Sequence, residues 1–162
     1  MEVNEIQKLM VSYFGKDVRR INHALKVYCF AKSIGESEKL DSEKQKILEI
    51  SAILHDIGIK ISEEKYNSSA GKYQELEGPD VAKKLMKDID LPEKIKERVY
   101  YLIGNHHSYD KIDGLDFQIL VEADFLVNIY EDNMSPEAAA TVKRKYFETK
   151  TGREYISSLY GV

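Results

Sequence analysis

Residues 50–58, Ile50-Ser51-Ala52-Ile53-Leu54-His55-Asp56-Ile57-Gly58, read as the end of an apolar helix that delivers an adjacent histidine and aspartate just ahead of a glycine stop. Counting back from His55, Ala52, Ser51 and Leu48 fall at i−3, i−4 and i−7 and share its helical face. Asp56 follows within about 100° of helical rotation, so an imidazole and a carboxylate reach toward one point. A carboxylate is costly to bury unless a donor or a positive charge meets it. Gly58 suits the left-handed conformation that ends helices, which places His55 and Asp56 in the last turn. The partial negative charge of a helix C-terminus favours a cation there and disfavours a bare aspartate. A metal ion resolves that conflict.

The helix that carries this stretch begins near Ser42, where Ser42-Glu43-Lys44-Gln45 fits a capping box, and runs to Asp56. Upstream, residues 3–14 place Val3, Ile6, Leu9, Met10 and Tyr13 at helical spacing, and Gly15 ends that segment. Residues 17–36 form a second helix, apolar on one face through Ile21, Leu25 and Tyr28 and on another through His23, Val27, Phe30 and Ile34, as expected of a central helix. Downstream, residues 57–73 contain Gly58, Asn67, Ser68, Ser69 and Gly71 and read as a long loop, of the kind that often serves as a lid over a site. Pro79 opens a short helix through Lys87; Pro92 opens a fifth, with Ile95, Val99, Leu102, Ile103 and His106 inward. Residues 108–115 are loop, 116–131 a sixth helix, Ser135-Pro136 caps a seventh, and a turn or two spans 151–160. No alternating strand pattern occurs. The expected fold is all-α: one domain over residues 1–162, a bundle of about six to eight helices with no sheet.

The 162 residues are 43% hydrophobic and 32% charged, a globular balance. No apolar run approaches the roughly 18 residues that cross a bilayer, so no membrane association is expected. MEVNEIQKLM lacks the basic and apolar regions of a signal peptide. A single cysteine, Cys29, excludes an internal disulfide or a cysteine-based zinc cluster, and reads as a small core residue; a cytoplasmic location is the default expectation. A net charge of −4 argues against a DNA-binding surface, while leaving room for local cations that hold a small phosphorylated molecule.

The chain has four histidines, His23, His55, His106 and His107, and three share a face with apolar residues. Asp124 is the sharper oddity. Its helical neighbours at i−7, i−4 and i−3 are Phe117, Leu120 and Val121, and no lysine or arginine lies on that stripe to meet its charge. Any one of these residues alone is most simply a satisfied core residue. As a set, imidazoles and carboxylates from separate helices are how bundles build metal sites, and mixed N/O ligation suits Mn, Fe, Co, Ni, Zn or Mg.

The order His23, then His55-Asp56, then Asp124 resembles the HD-domain superfamily of metal-dependent phosphohydrolases over nearly the whole chain. Arg20-Ile21-Asn22-His23 looks like its opening motif, ILHDIGIK like its signature and LVEADFLVNIYE like its closing aspartate helix. The resemblance implies a divalent metal held by His23, His55, Asp56 and Asp124, and hydrolysis of a phosphomonoester, phosphodiester or nucleotide by a metal-activated water. In KYQELEGPDVA, Gln74 and Glu75 occupy a position that often carries a histidine, so either Glu75 substitutes as an oxygen ligand or the site is mononuclear. His106 and His107 fall where second-metal ligands are expected; the expectation is one tight metal, with a second weak or absent. Asp56 is expected to be indispensable to catalysis. Arg20 and Lys60 are candidate phosphate contacts, and His106, ahead of His107, is the candidate general acid. Lys65, Lys72 and the Tyr66/Tyr73 pair are read as shaping the substrate pocket. Two other functions fit the same residues: a non-catalytic metal- and nucleotide-binding regulatory module, and a di-iron oxygenase, which the missing upstream histidine disfavours. Eleven tyrosines leave room for a homodimer face.

Overall fold

The segment Leu115–Glu131 is apolar on nearly every side, and a helix apolar all round must be enclosed. It forms the central helix, with Phe117, Ile119, Leu120, Leu126 and Val127 all buried. The computed structural model describes residues 1–162 as α1 (Glu2–Phe14), α2 (Val18–Ser37), α3 (Ser42–Leu54), α4 (Ile59–Tyr66), α5 (Gly71–Leu85), α6 (Glu93–Ile103), a 3₁₀ turn (Tyr109–Lys111), α7 (Leu115–Glu131), α8 (Pro136–Tyr146) and α9 (Lys150–Tyr160). No strand occurs, so the architecture is all-α as expected. Helices α2, α3 and α7 pack mutually at the centre; α1 and α6 flank α3, α4 and α5 pair with each other, and α8 and α9 close against α7. No helix is long and apolar enough to cross a membrane.

Polar caps set where the helices start. Asp17 accepts from the Arg20 amide at 3.3 Å, Asp41 from Lys44 at 2.9 Å, Ser135 from Ala138 at 3.1 Å and Thr149 from Gly152 at 2.9 Å. Such a cap contributes about 1 kcal/mol. The cap of α3 is therefore Asp41, one residue before the expected Ser42, and Gln45 turns instead to the Lys32 carbonyl and Glu49. Cys29 is exposed, because the buried face of α2 runs through Ala24, Val27, Ala31 and Ile34.

The stretch 57–73 departs most from expectation: it contains α4 and the start of α5, so it is no long loop. Pro79 lies inside α5 and opens no helix there. A proline in a helix interior leaves the carbonyl four residues back without its partner, so tertiary packing holds this segment helical. The reason lies at Gly58, which does not adopt the left-handed conformation (φ −76°). A Cβ there would stand 2.7 Å from the Gln74 carbonyl and 2.7 Å from the Gly78 amide, so the backbones of the α4 entry and α5 touch. His106 and His107 also shift: α6 stops at Ile103, and both histidines sit in the turn that follows.

Gly58→Ala, which meets only rigid backbone, is expected to destabilise the protein by about 1–3 kcal/mol in denaturant unfolding. A loss below about 0.5 kcal/mol contradicts this close approach.

Candidate metal centre

His23 comes from the first half of α2, His55 from the residue ending α3, Asp56 from the next position and Asp124 from the middle of α7. The fold brings all four together. His23 Nε2 is 3.1 Å from His55 Nε2. Asp56 Oδ2 lies 3.3 and 3.5 Å from these two nitrogens, and Asp124 Oδ1 lies 3.3 and 3.4 Å from them.

The tautomers follow from the partners of Nδ1. His55 Nδ1 is 2.8 Å from the Ala52 carbonyl, which can only accept, so Nδ1 carries a hydrogen and, in the neutral ring, Nε2 presents a lone pair. His106 Nδ1 donates to the Ile103 carbonyl, also at 2.8 Å. His23 Nδ1 donates to Glu131 at 2.8 Å, and Lys26 holds that carboxylate at 2.6 Å. Two nitrogen lone pairs 3.1 Å apart repel unless a proton or a cation stands between them. Donors about 2.1 Å from a common ion, at angles of 90–110°, lie about 3.0–3.5 Å from one another. His23, His55 and Asp56 match that spacing as a set, and Asp124 Oδ1 matches it toward each imidazole.

Helix α7 provides an internal control. It buries three carboxylates, and two are fully met by the protein. Arg98 makes a two-pronged bond to Asp116 at 2.7 and 2.9 Å; Glu122 accepts from Gln118, the amides of Glu148 and Thr149, and the Thr149 hydroxyl. Asp124 receives only the Asn128 amide, at 2.9 Å, besides the histidines. No lysine or arginine compensates it.

Burial pushes the Asp124 carboxyl up, but the hydrogen bond with His23 and the charge of His55 outweigh it and hold Asp124 well below the usual carboxylate range. Burial likewise lowers His55, yet Asp56 and Asp124 raise it to about 9. Protons on the imidazoles are thus the stand-in that the two carboxylates recruit when no cation is bound.

A second donor set shares Asp56. Its carboxylate, His106 and His107 offer atoms within 4.8 Å of one another. His106 Nε2 is 3.4 Å from Asp56 Oδ1 and, like His107 Nε2, is buried without a hydrogen-bond partner. Burial and the neighbouring His106 lower His107 to about 4, so its ring is neutral near pH 7. Glu75 does not join them. Its carboxylate is taken by the His107 amide at 2.9 Å and the Ser108 hydroxyl at 3.0 and 3.1 Å, which fixes the histidine turn from behind. Gln74 lines the site in its place.

Both sets open onto a cavity of about 520 Å³, walled by Arg19, Arg20, His23, Asp56, Ile59, Ser69, Gly71, Gln74, His107, Asp124, Asn128, Glu131 and Asp132. Arg20 reaches it, but Asp17 and Glu63 engage its guanidinium. Lys60 does not: its ammonium lies over the Tyr13 ring and 3.5 Å from the Tyr13 carbonyl. Lys65 pairs with Glu77, Lys72 lies over the Tyr73 ring, and Tyr66 and Tyr73 stack at 4.2 Å; all four are outside the cavity wall. His106, turned to Asp56, is not on that wall either, whereas His107 is. Arg19, unmarked by the sequence reading, is exposed at the rim with no ion pair. Glu131 and Asn128 were also missed as supports, although they follow Asp124 by seven and four positions on one helical face.

The profile of the HD domain family matches residues 20–144. The fold is similar to that of a predicted HD superfamily hydrolase from an uncultured Thermotogales bacterium, known from a crystal structure, with a TM-score of 0.70 and 24% identity over 98% of this chain and 84% of that one. No curated protein matches the chain.

Two outcomes follow from this geometry. Glu131→Gln, which removes the charge that orients His23, is expected to weaken divalent-metal binding about tenfold in calorimetric titration; unchanged affinity contradicts that role. His55, raised from about 6.5 to about 9, stabilises the metal-free fold fully below pH 6.5 and loses that contribution as pH rises through 9. A metal held by His55 would displace that proton, so affinity is expected to rise roughly tenfold per pH unit across this window. A pH-independent affinity contradicts the displacement.

Proposed function

Because the chain belongs to the HD domain family, we propose that it is a metal-dependent hydrolase of a small phosphorylated compound, with His23, His55, Asp56 and Asp124 holding a divalent ion. The observation that carries this reading is that two imidazole Nε2 atoms, 3.1 Å apart, each lie within 3.5 Å of an Asp56 and an Asp124 oxygen, with no lysine or arginine bonded to either carboxylate. The mixed N/O donor set suits Mn, Fe, Co, Ni, Zn or Mg. When bound, such an ion supplies a charge clamp for a phosphoryl oxygen and a water of lowered pKa.

The chain's own residues supply the rest. The cavity wall carries four carboxylates, Asp56, Asp124, Glu131 and Asp132, against Arg19 and Arg20, so without a cation it repels a phosphate. Arg19, free of any acidic partner, is assigned to the phosphate ahead of Arg20, whose guanidinium is already engaged. Asp56 spans the two donor sets, one oxygen toward each, and His106 and His107 form with it a second, weaker cation site. In the reaction the water oxygen forms a bond to phosphorus, the ester P–O bond breaks, and one water proton ends on the departing alcohol oxygen. Phosphoryl transfer of this kind depends mainly on positioning and charge stabilisation.

The test is hydrolysis of p-nitrophenyl phosphate by purified protein across a series of added divalent metals. Metal-dependent turnover that drops to background in Asp56→Ala, with helical circular dichroism retained, supports the reading. Metal bound without turnover of any phosphate ester overturns it in favour of a sensor. His106→Ala is expected to lower turnover at least about tenfold, while Lys65→Ala, outside the cavity, changes it less than about twofold. Equal effects contradict the placement of His106.

A further inference from the structure

Gln74 is 7% exposed, stands on the cavity wall, and is half satisfied. Its Nε2 donates to the Ser69 carbonyl at 2.6 Å, which fixes the amide orientation and leaves Oε1 as an acceptor. That Oε1 is buried and nothing donates to it. An orphaned acceptor is costly, and a ligand donor that reaches it recovers the cost. A phosphate oxyanion has no hydrogen to give. A hydroxyl does.

The remainder of the wall agrees. Ile59 is its single apolar member, and no phenylalanine or tyrosine faces the space. The nearby Tyr66 and Tyr73 are stacked on each other outside it, and the His107 ring already packs on His106 with centroids 4.0 Å apart. A nucleobase would find no aromatic platform here, although stacking is the ordinary means of holding one. A polyol chain would find donors and acceptors on most sides.

We propose that the substrate is a small hydroxylated phosphate monoester of sugar-phosphate size, and that Gln74 selects it by accepting a hydrogen bond from a hydroxyl of its alcohol part. This rests on the phosphohydrolase reading above. Gln74 thereby acts as a specificity-determining residue, at the position where the sequence lacks the histidine of a second metal site.

The experiment uses the metal-loaded full chain on two matched pairs: glycerol 3-phosphate against propyl phosphate, and ribose 5-phosphate against adenosine 5′-phosphate. Glycerol 3-phosphate is expected to exceed propyl phosphate by about tenfold in kcat/KM, as for one hydrogen bond to a buried acceptor, and ribose 5-phosphate to exceed the nucleotide. Gln74→Met is expected to shrink the first ratio to about twofold or less. A purely structural role for Gln74 would leave that ratio in place. Turnover with no preference in the first pair, or a preference for the nucleotide in the second, overturns this inference while the hydrolase reading stands. No turnover of any ester with any metal overturns both.

Discussion

Asp56 and Asp124 bring two carboxylates to the same pair of imidazole nitrogens, in a place where no lysine or arginine bonds to either. Burying one uncompensated carboxylate costs several kcal/mol, and bringing a second beside it adds their mutual repulsion. Protons on His23 and His55 relieve part of this strain; a divalent cation held there would relieve more of it and would use the lone pairs that the backbone has aimed inward. Asp116 and Glu122, on the same helix, show what the chain does with a buried carboxylate that has only a structural task. It supplies a full set of donors.

Helix endings build the site. At the ends of α3 and α6, an imidazole three residues past a carbonyl donates its Nδ1 hydrogen back to it: His55 to Ala52 and His106 to Ile103, each at 2.8 Å. One hydrogen bond satisfies a carbonyl that the helix terminus leaves open, and it also fixes the tautomer that exposes Nε2. His23, inside α2, cannot use this device, so Glu131 and Lys26 perform it. The contact between Gly58 and the α5 backbone then seats Gln74 beside the histidines, and Glu75 clasps their turn from behind.

How much of this was legible in the sequence depends on whether the cause was local. Helical periodicity identified α2, α3 and α7, and an aspartate on the apolar stripe of α7 identified Asp124. The α4 segment and the unbroken α5 were not legible, because glycine and proline in 57–79 carry loop signals that a backbone contact between distant residues overrides. Glu75 and Gln74 are adjacent, and only tertiary placement says which one faces the cavity. Lys60 sits four residues past Asp56, yet the rotation of α4 sends it to Tyr13. Glu131 and Asn128 were within reach, since both fall on the helical face of Asp124.

The most direct test of the central claim is elemental analysis of the purified protein before and after reconstitution with divalent metals. At least one tightly held ion per chain is expected, lost when Asp124 is replaced by alanine. Protein that holds no ion after reconstitution, with His23, His55, Asp56 and Asp124 intact, would contradict that claim.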